Sequence, residues 1–141
     1  MKIATLFYPI LAIALCQQAA LAFEPSPKIK VTTILKTEKS WDGQPLVYPS
    51  GQAEITGMFI DIAPGAETGW HLHPVPSFGM LMEGELEVQL EDGRVKKIQA
   101  GESLAEVVNV RHNGRNTGQV PVRILVFYAG AVGQPLTVPK P

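Results

Sequence analysis

The sequence predicts an all-β protein. Three observations lead to this class: apolar and β-branched residues come in short runs, glycine- and proline-containing turns separate the runs, and no capped helical stretch follows residue 22. Many short strands with closely spaced turns are typical of a β-sandwich or a β-barrel. A chain of 141 residues suits one domain with its own hydrophobic core.

Residues 1–22 are predicted to be a secretory signal peptide. Lys2 precedes an apolar run, and Ala20-Leu21-Ala22 has the small-x-small form of a signal-peptidase site, so the mature chain should begin at Phe23. The run is short for a bilayer span. A retained membrane anchor is one alternative, and a lipoprotein acylated at Cys16 is another. We expect a secreted or periplasmic protein that has no membrane attachment after cleavage.

Charge and cysteine content narrow the function classes. The chain has 12 basic and 13 acidic residues, and loss of Lys2 with the signal would leave 11 (12 − 1) basic residues. No block of like charge is present, which argues against a nucleic-acid partner. Removal of the single cysteine, Cys16, would exclude thiolate metal sites and cysteine nucleophiles from the mature chain.

The first half of the chain is predicted to begin with an irregular arm and to continue with strands of a sheet. Residues 31–36 are rich in β-branched side chains and are predicted to open the strand series. Residues 53–62 are apolar and mixed, and within them residues 58–62 are long enough for a central strand, which Pro64-Gly65 closes in a tight turn.

The second half is also predicted to consist of short strands separated by turns. Residues 78–82 and Glu85–Leu90 are predicted strands, and the second alternates charged with apolar side chains. Asp92-Gly93 is a strong hairpin signal, and residues 120–128 form the last long strand.

Three histidines are the candidate functional residues. His71 and His73 are two residues apart, so on a strand they point to the same face. His112 lies far downstream and can join them only through the fold. If it does, three neutral imidazoles would suit a divalent transition metal.

Two spaced motifs resemble those of the cupin superfamily, in particular a small, single-domain, type-2-like cupin. The first motif is matched by Gly65, His71, His73 and Gly84, with Ser77 at the position where the family usually carries glutamate. The second is matched by Gly101, His112 and Asn116, with Val107-Val108-Asn109 in place of Pro-x-Gly. Two motifs in the right order are far more specific than a lone His-x-His.

The resemblance implies a jelly-roll β-barrel, often a homodimer, with a metal in the barrel mouth. Together with the predicted signal peptide (1–22), this fold divides the chain into an N-terminal arm with the first strands (23–52), the barrel core (53–130) and a C-terminal tail (131–141). The family includes dioxygenases, isomerases, storage proteins and sensors, so the fold alone does not decide the function.

The ligand set is expected to be His71, His73 and His112, holding one divalent ion of Zn, Fe, Cu, Ni or Mn. The hydroxyl of Ser77 is too weak a ligand to replace a carboxylate, which favours Zn, Cu, Ni or Fe over Mg or Ca. A fourth, carboxylate ligand is left open by the sequence. The candidates are Glu67, Glu83, Glu102 and Glu106.

The spacing leaves two further questions open. Asn113-Gly114 has the form of a hairpin turn, whereas the family spacing runs one strand through His112 and Asn116. Small Ser77 and Gly79 would either leave space over the metal or allow close backbone packing. The candidates for the pocket lining are Trp70, Ser77, Phe78, Gly79 and Met80.

The first functional hypothesis is a metal-dependent enzyme that activates dioxygen or polarises a small organic substrate. No general base is identifiable from the sequence. The rival is a non-catalytic module that binds metal or a small ligand, as a sensor or carrier.

Overall fold

The computed structural model describes residues 28–141, so the predicted signal peptide lies outside the described residues. All the strands fall in the compact unit Thr33–Pro141. Within residues 28–141 no helix has the length and apolar character needed to cross a lipid bilayer.

In residues 28–141, nine strands form two antiparallel sheets, which confirms the all-β class and the jelly-roll barrel. The four-stranded sheet has the order β1-β8-β3-β6, and the five-stranded sheet has the order β5-β4-β7-β2-β9. The strands are β1 (Ala53–Ile62), β2 (His71–Leu72), β3 (Ser77–Glu83), β4 (Glu85–Leu90), β5 (Val95–Gln99), β6 (Ser103–Ala105), β7 (His112–Asn116), β8 (Val122–Ala131) and β9 (Val138–Pro139).

The strand predictions were correct in the middle of the chain and wrong for residues 31–36. Residues 31–36 form no strand, and between residue 33 and Ala53 the only ladder contact is an isolated bridge from Lys39 to Pro45. Ile34 is exposed, so its β-branched side chain has no sheet to pack against, and packing is what β propensity reflects. At the other end, the predicted tail contains β9, which pairs with β2.

Inward-facing side chains of both sheets make the core. In β8, buried and more exposed positions alternate, as expected for a strand with one face in the barrel. The buried cluster comprises Ile62, Val75, Leu81, Leu86, Val88, Ile98, Leu104, Val122, Ile124, Val126 and Tyr128.

Asn113-Gly114 lies within a strand and does not form a turn. Gly114 pairs with Val88 of β4, inside β7. Gly114 has no positive φ, so it takes an ordinary strand conformation and the dipeptide rule fails here. His112 and Asn116 both lie on this strand, as the family spacing predicted.

Position 84, between β3 and β4, requires glycine because of its backbone conformation and the atoms close to it. Its φ is +81°, and a Cβ would lie 2.7 Å from the carbonyl oxygen of Pro121. We expect Gly84→Ala to lower the free energy of unfolding by about 3 kcal/mol, the sum of left-handed strain and overpacking. Urea denaturation would measure the change.

Gly93 provides a matched control for Gly84. It also has a positive φ, of +89°, but a Cβ there would meet nothing within 4 Å. Gly93→Ala should therefore lower the free energy of unfolding only by the left-handed strain, about 1 kcal/mol. Equal losses in the two variants would show that the contact with Pro121 contributes nothing.

Candidate metal centre

The pairing of β2 with β7 brings the three predicted histidines together. His71 pairs directly with His112, and His73 follows two residues after His71. The ring centroids are 4.4 Å apart for His71 and His112, and 4.9 Å apart for each of the other two pairs. One nitrogen from each ring lies within 4.8 Å of the others, as a shared ion requires.

Each imidazole is oriented by a backbone carbonyl. The Nδ1 atoms lie 2.7 Å from Gly69 O for His71, 2.9 Å from Leu136 O for His73 and 2.9 Å from Val110 O for His112. A carbonyl only accepts hydrogen bonds, so each Nδ1 carries the proton and each Nε2 keeps its lone pair. Ligating histidines are held in this way, and the three residues therefore fit a divalent transition metal.

Burial also favours the neutral ligands that a metal needs. It lowers the pKa of all three imidazoles below the ordinary value of 6.5, and it lowers the pKa of His73 to about 4. The free imidazoles are therefore neutral near pH 7, and metal binding at that pH displaces no proton from them.

The metal-free protein should lose stability as the pH falls from about 6.5 to about 4. In this range the unfolded histidines bind protons and the buried ones do not, so the free energy of unfolding rises with pH. His73 alone should contribute about 3 kcal/mol. Burial raises the pKa of Glu106, which acts in the opposite direction, but three imidazoles outnumber one carboxylate.

Urea denaturation of the metal-free protein between pH 4 and pH 7 would measure this dependence. The variant His73→Gln should show a flatter profile, since it lacks the most perturbed imidazole. A stability that stays constant or increases on acidification would contradict the expectation.

A cavity of about 800 Å³ lies inside the barrel and includes all three histidines in its wall. Both sheets contribute apolar side chains to it, from β1 and β8 on one side and from β4 on the other. These side chains are Met58, Ile60, Ile62, Leu86, Val88, Ile124 and Val126. A volume of this size accommodates a small organic ligand beside a metal.

The structure divides the predicted pocket residues into two groups. Trp70, Ser77 and Gly79 line the cavity. Phe78 and Met80 do not line it, so their assignment to the pocket was wrong. Successive residues of β3 face opposite sides of the sheet, and because Ser77 and Gly79 point inward, Phe78 and Met80 point outward. Phe78 instead lines a smaller surface depression with Tyr48 and Phe127.

Gly79 bears on both explanations for the small residues, which were space over the metal and close packing. It lines the cavity, yet a Cβ on it would lie 2.9 Å from Ile124 Cδ1 and 3.2 Å from Leu104 Cδ2. The absence of a side chain therefore serves close packing of neighbouring core residues.

Of the four candidate carboxylates, only Glu106 lines the cavity. Glu67 and Glu102 are engaged elsewhere, with the Asn113 side chain and the Gln99 backbone respectively. The carboxylate of Glu106 accepts hydrogen bonds from the Trp41 indole (2.6 Å) and from Val107 N (2.8 Å). Sequence analysis missed Trp41, because no spacing rule connects residues 65 positions apart.

The C-terminal residues also belong to the site, which the sequence did not suggest. Leu136 O and the Thr137 hydroxyl lie 2.9 Å and 3.2 Å from His73 Nδ1. β9 pairs with His71, and Lys140 N donates to Trp70 O. The tail therefore forms one wall of the cavity and orients one of the three histidines.

A comparison with known families agrees with this geometry. The family described as "Cupin domain" matches residues 58–128, just over half of the chain. This chain is a member of the cupin family. The family match and the cluster of three histidines together support a metal-binding cupin.

A curated protein and a solved structure are each similar to about 60% of this chain. "Oryzines biosynthesis cluster protein J" from Aspergillus oryzae is 33% identical over 85 residues, which cover 60% of this chain and 45% of that protein. The structure titled "Structural and spectroscopic insights into the mechanism of oxalate oxidase" is 25% identical, with a TM-score of 0.52, and covers 60% of this chain and 45% of the other. The cupin chain thus spans about half the length of these relatives.

More distant structures share the fold. The DMSP lyase DddQ from Ruegeria pomeroyi DSS-3 is 20% identical, with a TM-score of 0.54, and covers 70% of this chain and 47% of the other. At this identity the likeness concerns the cupin fold alone.

Proposed function

We propose that this cupin is a metal-dependent enzyme that acts on a small, largely apolar organic molecule. The observation that carries the proposal is the cavity of about 800 Å³, which is lined mainly by apolar side chains and has the three oriented imidazoles in its wall. A metal that served structure alone would not need such a space beside it.

His71, His73 and His112 would hold one divalent transition metal through Nε2. Such an ion supplies Lewis acidity or access to redox chemistry. The protein supplies the rest: backbone carbonyls fix the imidazoles, the apolar walls exclude water, and Trp70 lies at the wall beside the tail. Three neutral ligands leave the full charge of the ion to act on a ligand, and Mn, Fe, Zn, Cu and Ni are the candidates.

Similarity to an oxalate oxidase makes an oxidative reaction the first class of activity to assay. Because the match covers less than half of that relative, it supports a class of chemistry and leaves the substrate open.

The second candidate function is non-catalytic binding, as a sensor or carrier. Ser77 favours it, because this residue stands where cupins usually carry a carboxylate ligand. A carrier would bind its ligand in the same cavity and release it unchanged.

Elemental analysis of the protein purified from its own compartment would identify the metal. The metal-loaded protein would then be incubated with a metabolite extract, in air and under nitrogen, and compared by mass spectrometry with His71→Ala. Metal-dependent disappearance of one compound and appearance of another supports the enzyme. Retention of a compound without conversion supports the carrier, and the absence of both contradicts a small-molecule function.

We further propose that the protein is exported and that it dimerises. Export is supported by Lys2 and Ala20-Leu21-Ala22, and N-terminal sequencing should begin at Phe23. The dimer is supported by exposed apolar side chains on the outer face of the β1–β8 pair, Ile55 and Phe127 being 64% and 46% exposed. Ile55→Glu should shift the sedimentation profile to the monomer, whereas an unchanged profile would exclude this face.

A further inference from the structure

Glu106 lies directly across the sheet from Ser77. In the antiparallel pairing of β3 with β6, Phe78 faces Ala105, so the next position pairs Ser77 with Glu106. Glu106 N donates a hydrogen bond of 2.9 Å to Ser77 O, and both residues line the cavity. A carboxylate is therefore present in this site, one strand away from the position where the serine replaces it.

Within residues 28–141, the carboxylate of Glu106 accepts hydrogen bonds at one oxygen only. Its Oε1 accepts from both the Trp41 indole and Val107 N. Trp41 is fixed in turn, because its backbone N donates to Ala105 O at 3.0 Å. No group in residues 28–141 donates to Oε2, and no lysine or arginine of that range forms an ion pair with Glu106.

Glu106 lies in the same cavity wall as the three histidines but outside their ligand cluster. The nitrogen atoms within 4.8 Å of one another belong to the three histidines, and Glu106 is outside this cluster. Among the described residues Glu106 is the only acidic residue in the cavity wall. The only lysine of the wall, Lys140, pairs with Glu91 at 2.7 Å.

We propose that Glu106 is the proton acceptor of this site and that the substrate is a small, uncharged, mainly apolar molecule with an acidic O–H next to a metal-binding oxygen. The proton passes from this hydroxyl to Glu106 Oε2, and the O–H electron pair stays on the substrate oxygen, so no oxidant or reductant is needed for the step. The inference rests on the proposed function.

Charge explains the preference for an uncharged substrate. Three neutral imidazoles and a divalent ion leave two positive charges, and Glu106 reduces the total to one. A singly deprotonated ligand then neutralises the site. A dianion would meet a fixed carboxylate in an apolar cavity, where the one lysine that residues 28–141 contribute to the wall already pairs with Glu91.

Binding of acetohydroxamic acid to the Co(II)-loaded, full-length protein tests the proton transfer without any turnover. This weak acid is uncharged at pH 7 and binds metals through two oxygens after losing its hydroxyl proton. The measurement is the number of protons released per acid bound, by an indicator in weakly buffered solution. We expect nearly none for the native protein and about one for Glu106→Gln.

Glu102→Gln is the matched control, because Glu102 is an exposed carboxylate four residues away that lies outside the cavity. It should behave as the native protein does. Release of one proton per acid in the native protein, or no difference between the native protein and Glu106→Gln, would overturn the inference.

Azide binding gives a second readout on the same proteins. Removal of one negative charge near a bound anion should tighten azide binding by at least about fivefold in Glu106→Gln, while binding of uncharged imidazole changes less than about twofold. Equal azide affinities would contradict a carboxylate facing the ligand.

Co(II) binding distinguishes failure of the proposed function from failure of the proton-acceptor role of Glu106. If the native protein binds no Co(II), the proposed function and this inference both fail. If it binds Co(II) and Glu106→Gln binds it at least tenfold more weakly, Glu106 is a ligand and the proton-acceptor role alone is overturned.

Discussion

Replacement of His112 by alanine should abolish stoichiometric metal binding and leave a folded barrel. The three histidines are the only oriented ligand cluster in residues 28–141. Loss of an outer partner of a ligating histidine typically weakens metal binding 10- to 100-fold, so loss of the ligand itself should weaken it by more than about 100-fold. His71→Ala and His73→Ala should have the same effect.

Elemental analysis and circular dichroism of each purified variant would measure metal content and fold. Tyr128→Phe is the control: its ring lies 5.2 Å from that of His73 in the same cavity wall, but it offers no imidazole. It should keep its metal. If all three alanine variants keep theirs as well, the ligand assignment is wrong.

Replacement of Asn116 by alanine should cause the largest loss of stability of any single change considered. Asn116 is fully buried. Its Nδ2 donates to Ile62 O and Val120 O, and its Oδ1 accepts from Gly118 N, each at 2.9 Å. Alanine would leave these three backbone groups without partners, at a cost of about 1–3 kcal/mol each if no water enters. We expect a total loss of about 4 kcal/mol.

Asn113→Ala provides a comparison within the same strand. Asn113 is also buried, but its side chain bonds only to Glu67 and, weakly, to Thr68 at 3.4 Å. Both partners can turn to solvent, so the loss should stay near 1 kcal/mol. Urea denaturation would compare the two variants. Equal losses would mean that the backbone bonds of Asn116 do not stabilise the connection from β7 to β8.

The middle of the fold could be predicted because its signals are local. Residues 58–62 and Glu85–Leu90 have strand patterning and are followed by glycine-containing turns. The structure places the first within β1 (Ala53–Ile62) and the second at the bounds of β4. Residues 31–36 have a similar composition but form no strand, because a strand needs a partner and the sequence does not reveal whether one exists.

By itself, the sequence determined the cupin family and the three histidines, since both depend on residue types at fixed spacings. Only the tertiary structure decided what surrounds them. Trp41 meets Glu106 across 65 positions, Leu136 orients His73 across 63, and Glu106 faces Ser77 through the register of β3 with β6. Such contacts follow from strand pairing between distant segments, and pairing is selected by the packing of the whole core, which no local pattern records.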